Sequence, residues 1–246
     1  MLKPRYASDS LLEAGVDEAG RGCLWGPLVA AAVIWPAEES WTPEIRGLAT
    51  QVKDSKKVSA KRRAVMEGQI KVAAVAWGLG VVQPEEIDRV GMTRANRLAF
   101  ERALEGVGAA VKAEPYRVLI DGILGLESVV LQRLGAAEQV VEPQGDGTYL
   151  AVAAASILAK EGRDRMVAEA VEASPDLQRV YGILNSKGYG TAAHRAAIQK
   201  HGMLEGHRRL FLRKLLGLDH TVSEGDSSGS AVVKDGSRMT YDFLED

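Results

Sequence analysis

The sequence predicts an α/β fold in which a mixed central β-sheet carries helices on its faces. Three observations point there. β-compatible apolar segments gather in the first third of the chain, helix-like and strand-like segments then alternate, and a long alanine-rich stretch closes the alternation. Ala14 to Ala19 is short and β-compatible, and Leu28 to Trp35 is a continuous apolar run suited to a buried strand. A basic loop and helix follow from Lys53 to Met66, then a third apolar segment, Val72 to Val82, containing Gly78 and Gly80. Pro84-Glu85-Glu86 opens a helix, because proline fits the first turn and acids there complement the helix dipole. Thr93 is placed to cap a helix running to about Gly106, with Ala95, Leu98, Ala99 and Ala103 on one face. Arg117 to Asp121 is a short strand ended by Gly122; a helix around Leu126 to Leu134 and a strand at Gln139 to Glu142 come next. Ala151 to Val171 is the long helix, its alanines favouring helix and permitting close packing.

Composition bounds the rest. With 246 residues, 46% apolar and 26% charged, the chain is long enough for one substantial core. No stretch approaches the roughly 18 uncharged apolar residues of a membrane span. The N-terminus lacks an apolar run after its first bases, so a cytoplasmic location is expected. A single cysteine, Cys23, excludes an internal disulfide framework and a cysteine-based zinc site. The net charge of −2 conceals an uneven distribution: residues 219–246 carry a net of −5, residues 1–218 a net of +3, and the 185–214 segment alone +6. A folded unit is therefore expected at 1–218, with a helical C-terminal part, and a flexible acidic tail at 219–246.

The informative residues are acids at strand ends. Asp17-Glu18 lies on or just beyond the first core strand, Asp121 ends another, and Asp164 lies on the long helix. Strand-end carboxylates can converge with one from a packed helix, and such a cluster needs protons or cations to be stable. Oxygen donors of this kind suit Mg²⁺ or Mn²⁺. Residue by residue the pattern leaves other roles open: Asp121 before Gly122 as a turn former, Asp17-Glu18 as a partner of Arg21, and Asp164, between Arg163 and Arg165, as a solvated charge. Gly20-Arg21-Gly22 reads either as a tight connection or as backbone that a sugar or phosphate can approach.

Gly15-Val16-Asp17-Glu18-Ala19-Gly20-Arg21-Gly22 resembles the signature of the type 2 ribonuclease H (ribonuclease HII) family. The similarity continues in order through Asp54-Ser55-Lys56-Lys57, Pro84 to Asp88, Leu119-Ile120-Asp121-Gly122, Ala153 to Lys160 with Arg163-Asp164, Lys187-Gly188-Tyr189-Gly190-Thr191, His194, and His207 to Phe211. The resemblance implies an RNase H-like fold and an endoribonuclease that cleaves the RNA strand of RNA/DNA hybrids. It also implies incision of duplex DNA 5′ to an embedded ribonucleotide, leaving 5′-phosphate and 3′-hydroxyl ends. It assigns Asp17, Glu18, Asp121 and Asp164 as four catalytic acids holding two divalent cations, Mg²⁺ or Mn²⁺. It gives Gly20, Arg21 and Gly22 the sensing of the 2′-hydroxyl, Tyr189 stacking on the following deoxyribose, and Ser55, Lys56 and Lys187 contacts to the nucleic-acid backbone. The implied partners are RNA/DNA hybrid and ribonucleotide-containing duplex DNA, met by a monomer with no membrane association and no sliding-clamp motif. Thr148, Ser186 and Leu210 depart from the family pattern. A catalytically silent hybrid-binding protein and a DNA nuclease on the same fold are the alternatives.

Among the remaining signals, the four histidines fall in the last quarter without zinc-like spacing, so His194 and His201 are expected to be structural or substrate-side. The basic 185–214 segment around Tyr189 is expected to face the hybrid backbone. Trp25, Trp35, Trp41 and Trp77 are expected to pack in the core or at its edge.

Overall fold

The computed structural model describes residues 2–52, 59–111 and 114–218. Five strands, β1 (Leu12–Ala19), β2 (Leu28–Ile34), β3 (Ala76–Val82), β4 (Tyr116–Asp121) and β5 (Ala136–Glu142), form one sheet in the order β3-β2-β1-β4-β5. β1, β2 and β3 are an antiparallel meander, whereas β4 and β5 run parallel to β1. The sheet is mixed, as the segment order predicts.

β2 explains why a central strand reads as one apolar run. Its residues alternate between faces. Leu28, Ala30, Ala32 and Ile34 enter a core with Ala95, Ala99, Phe100, Ala103 and Leu104 of α4 (Met92–Val111). Ala31 and Val33 enter a second core with Met66 and Ile70 of α2 (Ala60–Ala73) and Ala154, Ile157 and Leu158 of α6 (Leu150–Ala173). Both covering helices sit unusually close to the sheet. A Cβ at Gly80 would overlap the Ala99 carbonyl, and one at Gly15 would overlap the Ala151–Val152 backbone. Gly15→Ala is therefore expected to cost about 1–3 kcal/mol by overpacking, read as a lower urea midpoint; an unchanged midpoint would show that α6 can move outward freely.

Several boundaries differ from the sequence reading for local reasons. The Val72–Val82 segment is split, because Met66 and Ile70 form the buried stripe of α2 while Val72 projects into solvent at its end. Thr93 is not a cap: Gly91, at φ 78°, ends α3 (Pro84–Val90), and its carbonyl already accepts the Ala95 N–H of α4. β5 begins at Ala136, three residues before the predicted start. The α1 helix (Pro43–Gln51) was not anticipated, although its signature is local: Thr42 Oγ1 accepts the Ile45 N–H, and proline follows in the first turn. After α5 (Ser128–Leu134) and α6, the short helices α7 (Asp176–Arg179), α8 (Ile183–Ser186), α9 (Ala192–His201) and α10 (Arg209–Leu216) make the expected helical C-terminal part. Leu177, Ile183, Ile198 and Leu212 from these pack with Trp25 and with Val167 of α6. The predicted tail at 219–246 lies outside the described residues. Among the described residues no helix is long and apolar enough to cross a membrane.

Candidate active site

β1 and β4 are adjacent and parallel, with Val16 opposite Ile120, so their C-terminal ends bring Asp17 and Asp121 side by side. Strand alternation turns both toward α6: Gly15 on that side touches Ala151 and Val152, and Leu119 packs on Tyr149 and Val152. A third acid joins them from the connection between β5 and α6. Gln144 turns the chain with a left-handed φ of 63°, a 3₁₀ turn spans Gly145–Gly147, and the Gly145 N–H donates to Asp121 Oδ1 at 2.7 Å. One carboxylate oxygen each from Asp17, Asp121 and Asp146 then lies within 4.8 Å of the other two.

The electrostatics of this cluster favour a positive occupant. Burial pushes the Asp17 carboxyl well above the usual range; a Ser156 hydrogen bond opposes that shift, and Glu18 and Asp121 add to it. Burial also raises Glu18, against the pull of Arg21. Carboxylates this close repel one another unless a cation shares the space. An all-carboxylate donor set of this spacing fits a hard divalent ion.

Two predicted members stand elsewhere. Glu18, one residue out of phase with Asp17, belongs to the opposite side of the strand end, with Arg21 Nη1 3.7 Å from its carboxylate. Asp164 stands apart from the three. It lies eight residues beyond Ser156 on α6, about 12 Å along the axis at the usual rise per residue. There it pairs with Arg63 and Lys160, each at 3.3 Å, and it is not one of the three converging acids. Asp146 stands beside Asp17 and Asp121 instead.

The glycine segment and Tyr189 do meet. The Leu24 N–H donates to Gly188 O at 2.8 Å, and Cys23 and Tyr189 form a β-bridge, so the Gly20–Gly22 turn lies against Lys187-Gly188-Tyr189. Arg21 and Tyr189 are exposed at this rim. Behind it sit two arginines with no exposed surface, Arg163 and Arg208. Arg163 donates to the carbonyls of Pro27, Lys187 and Trp25 at 2.9, 2.8 and 3.1 Å. Arg208 donates to Gly26 twice, at 3.0 and 2.8 Å, and to Arg21 at 3.0 Å. Burial pulls the Arg208 guanidinium down to about 10, so it remains charged at neutral pH.

The sequence pattern of the family described as Ribonuclease HII matches residues 14–214. The chain belongs to the ribonuclease HII family. A Ribonuclease HII of Porphyromonas gingivalis is 38% identical over 91% of this chain and 100% of its own length. The ribonuclease H2 of Pyrococcus horikoshii OT3 superposes with a TM-score of 0.63 at 25% identity, over 85% of this chain and 98% of that one. Bst-RNase HIII, solved in complex with Mn²⁺, superposes at 0.60 with 25% identity over 85% of this chain and 70% of that one. The fold is RNase H-like, and membership in the family makes the chain a hydrolase, an endoribonuclease that cleaves RNA in RNA/DNA hybrids.

Within this ribonuclease HII framework, some sequence expectations change. Arg208, counted in the basic segment facing nucleic acid, points inward, where it donates to the Gly26 and Arg21 carbonyls. Arg163 is likewise no solvated neighbour of Asp164. Arg209, Arg213 and Lys214 are exposed. Ser55 and Lys56 lie outside the described residues. Trp25, Trp35 and Trp41 are buried, and Trp77 lies at the edge strand under Lys71 Nζ, 4.7 Å from its ring centroid. Asp146 carried a sequence signal that went unused: an acid between two glycines, directly before the long helix, is a turn poised to present a carboxylate.

Proposed function

We propose that the chain hydrolyses the RNA strand of hybrids, and incises duplex DNA 5′ to an embedded ribonucleotide, at the Asp17–Asp121–Asp146 cluster. The observation that carries this reading is the convergence of three carboxylates on the same helix, α6, whose Arg163 braces the Gly20–Gly22 and Tyr189 rim. Asp17, Asp121 and Asp146 would hold divalent cations, Mg²⁺ or Mn²⁺, with Glu18, close enough to Asp121 to feel its charge, adding to the negative field from the other side of the strand end. Two divalent ions held by these carboxylates would supply activation of the attacking water and neutralisation of charge on the departing 3′-oxygen. The Gly20–Gly22 backbone presents main-chain groups to a 2′-hydroxyl, flanked by the exposed charge of Arg21. Tyr189 offers its exposed ring face to the next sugar, so a ribonucleotide-to-deoxyribonucleotide step is read as a hydroxyl present and then absent. Lys187, half-buried beside it, faces the phosphate backbone, and the resemblance to the family adds Ser55 and Lys56 as backbone contacts.

The test is a duplex with one ribonucleotide, incubated with Mg²⁺ or Mn²⁺. Incision 5′ to the ribonucleotide, with an all-DNA duplex left intact, is the expected result; folded protein that cuts with neither metal would overturn the reading. Independently of turnover, Mg²⁺ at about 100 times its Kd should stabilise the fold by about 2.7 kcal/mol, measured as a rise in Tm. Asp146→Asn should lose most of that rise.

A further inference from the structure

Behind Tyr189 lies a pair of buried histidines that the chemistry above does not use. His194 on α9 and His207 before α10 are 0% and 5% exposed, and their Nε2 atoms are 3.1 Å apart. Elementary hydrogen-bond counting fixes their protons. His194 Nδ1 faces Tyr189 O at 2.9 Å, a carbonyl, so this nitrogen carries hydrogen and donates. His194 Nε2 is then a bare lone pair, and His207 Nε2 must donate to it. That leaves His207 Nδ1 bare, and the Leu204 N–H donates to it at 3.0 Å. The Leu204 carbonyl is also 2.9 Å from this nitrogen, but it already accepts the His207 N–H. The competing arrangement would place two lone pairs face to face or charge a ring in the core. Burial pushes His207 down to about 4 and lowers His194 as well, so both rings are neutral near neutral pH. Tyr181 packs edge-on against His207, with ring centroids 5.0 Å apart.

We propose that His194 and His207 are positioning residues. Their one-directional chain, Leu204 N–H to His207, His207 to His194, and His194 to the Tyr189 carbonyl, sets the main chain at Tyr189 and so aims its ring at the substrate sugar. The inference rests on the proposed role of Tyr189 and adds what holds that residue in place. His194→Asn keeps an N–H where Nδ1 stood, whereas His194→Phe keeps the ring and loses the donor.

The experiment compares Tyr189→Ala, His194→Phe, His194→Asn and the Tyr189→Ala/His194→Phe double variant on a duplex with one ribonucleotide followed by deoxyribose. His194→Phe is expected to lower kcat/KM by about tenfold, His194→Asn to restore most of it, and the double variant to be no worse than Tyr189→Ala. ¹⁵N NMR of the intact protein should find His194 protonated at Nδ1 and His207 at Nε2. Multiplied effects in the double variant, or the opposite tautomers, would overturn the proposal. Wild-type activity in Tyr189→Ala would instead overturn the tyrosine's role, while the nitrogen shifts still report the chain. Should His194→Phe not fold, His194→Asn with the NMR decides: its activity falling as far as that of Tyr189→Ala would count against the proposal.

Discussion

Asp146→Asn is expected to lower kcat by a thousandfold or more, roughly 4 kcal/mol of barrier, with little change in affinity for hybrid. The amide keeps the shape of the side chain and removes its charge. Asp17 and Asp121 then remain as a pair, short of the anionic third side that a small cation needs. The informative control is Asp164→Asn, expected to lose less than about tenfold, under about 1.4 kcal/mol. Asp164 is tied to Arg63 and Lys160 at 3.3 Å each, and neutralising it removes ion pairs rather than a side of the cluster. Single-turnover cleavage of a ribonucleotide-containing duplex, with binding measured separately without metal, separates the two. Equal losses of turnover would mean that Asp164 acts in the chemistry, and the three-acid assignment would fail.

Arg163→Met should produce the second large effect, on the fold and the rim together. Its guanidinium satisfies three carbonyls drawn from two separate segments, Trp25 and Pro27 on one side and Lys187 on the other. Methionine fills part of the volume and donates nothing, and each orphaned buried carbonyl costs about 1–3 kcal/mol. Part of the loss is returned because a buried charge disappears. A net loss of about 3 kcal/mol in urea unfolding is expected, with a rise in KM larger than the fall in kcat. Lysine should not rescue, since a single ammonium cannot reach three carbonyls in the plane that a guanidinium spans. A stable variant with unchanged KM would show that the loop holds its shape without the brace.

The strands and the long helix were legible because their signals are local. β2 is apolar on every residue because both its faces are covered, and α6 announces itself by alanine. Asp17 and Asp121 were legible as site residues because each follows a run of core residues that has to end at the sheet's edge. Asp146 and Asp164 show where this reasoning stops. Asp146 precedes α6 and Asp164 lies within it, and only the parallel placement of β4 beside β1, together with the Gly145 bond to Asp121, decides which one joins the cluster. That contact spans 24 residues and leaves no periodic trace. The buried arginines were invisible for a related reason. An arginine sequence says nothing of whether carbonyls or solvent await it, and Arg208 was grouped with its exposed neighbours Arg209 and Arg213.

The single helix α6 has a consequence for measurement at the molecular scale. Val152 touches Gly15, Ser156 bonds Asp17, and Arg163 lies under Gly20, so one stripe of the helix follows β1 from the sheet into the recognition loop. Ser156 and Arg163 are seven residues apart, about two turns and roughly 10 Å. Both the acids and the Gly20–Gly22 loop, proposed above to meet the sugar, are thus gauged against one rigid rod. Under the proposed roles, the offset between the nucleotide inspected and the bond cut would be a length standard written in helical pitch. Inserting one residue between them would swing Arg163 about 100° off the stripe and uncouple inspection from cutting.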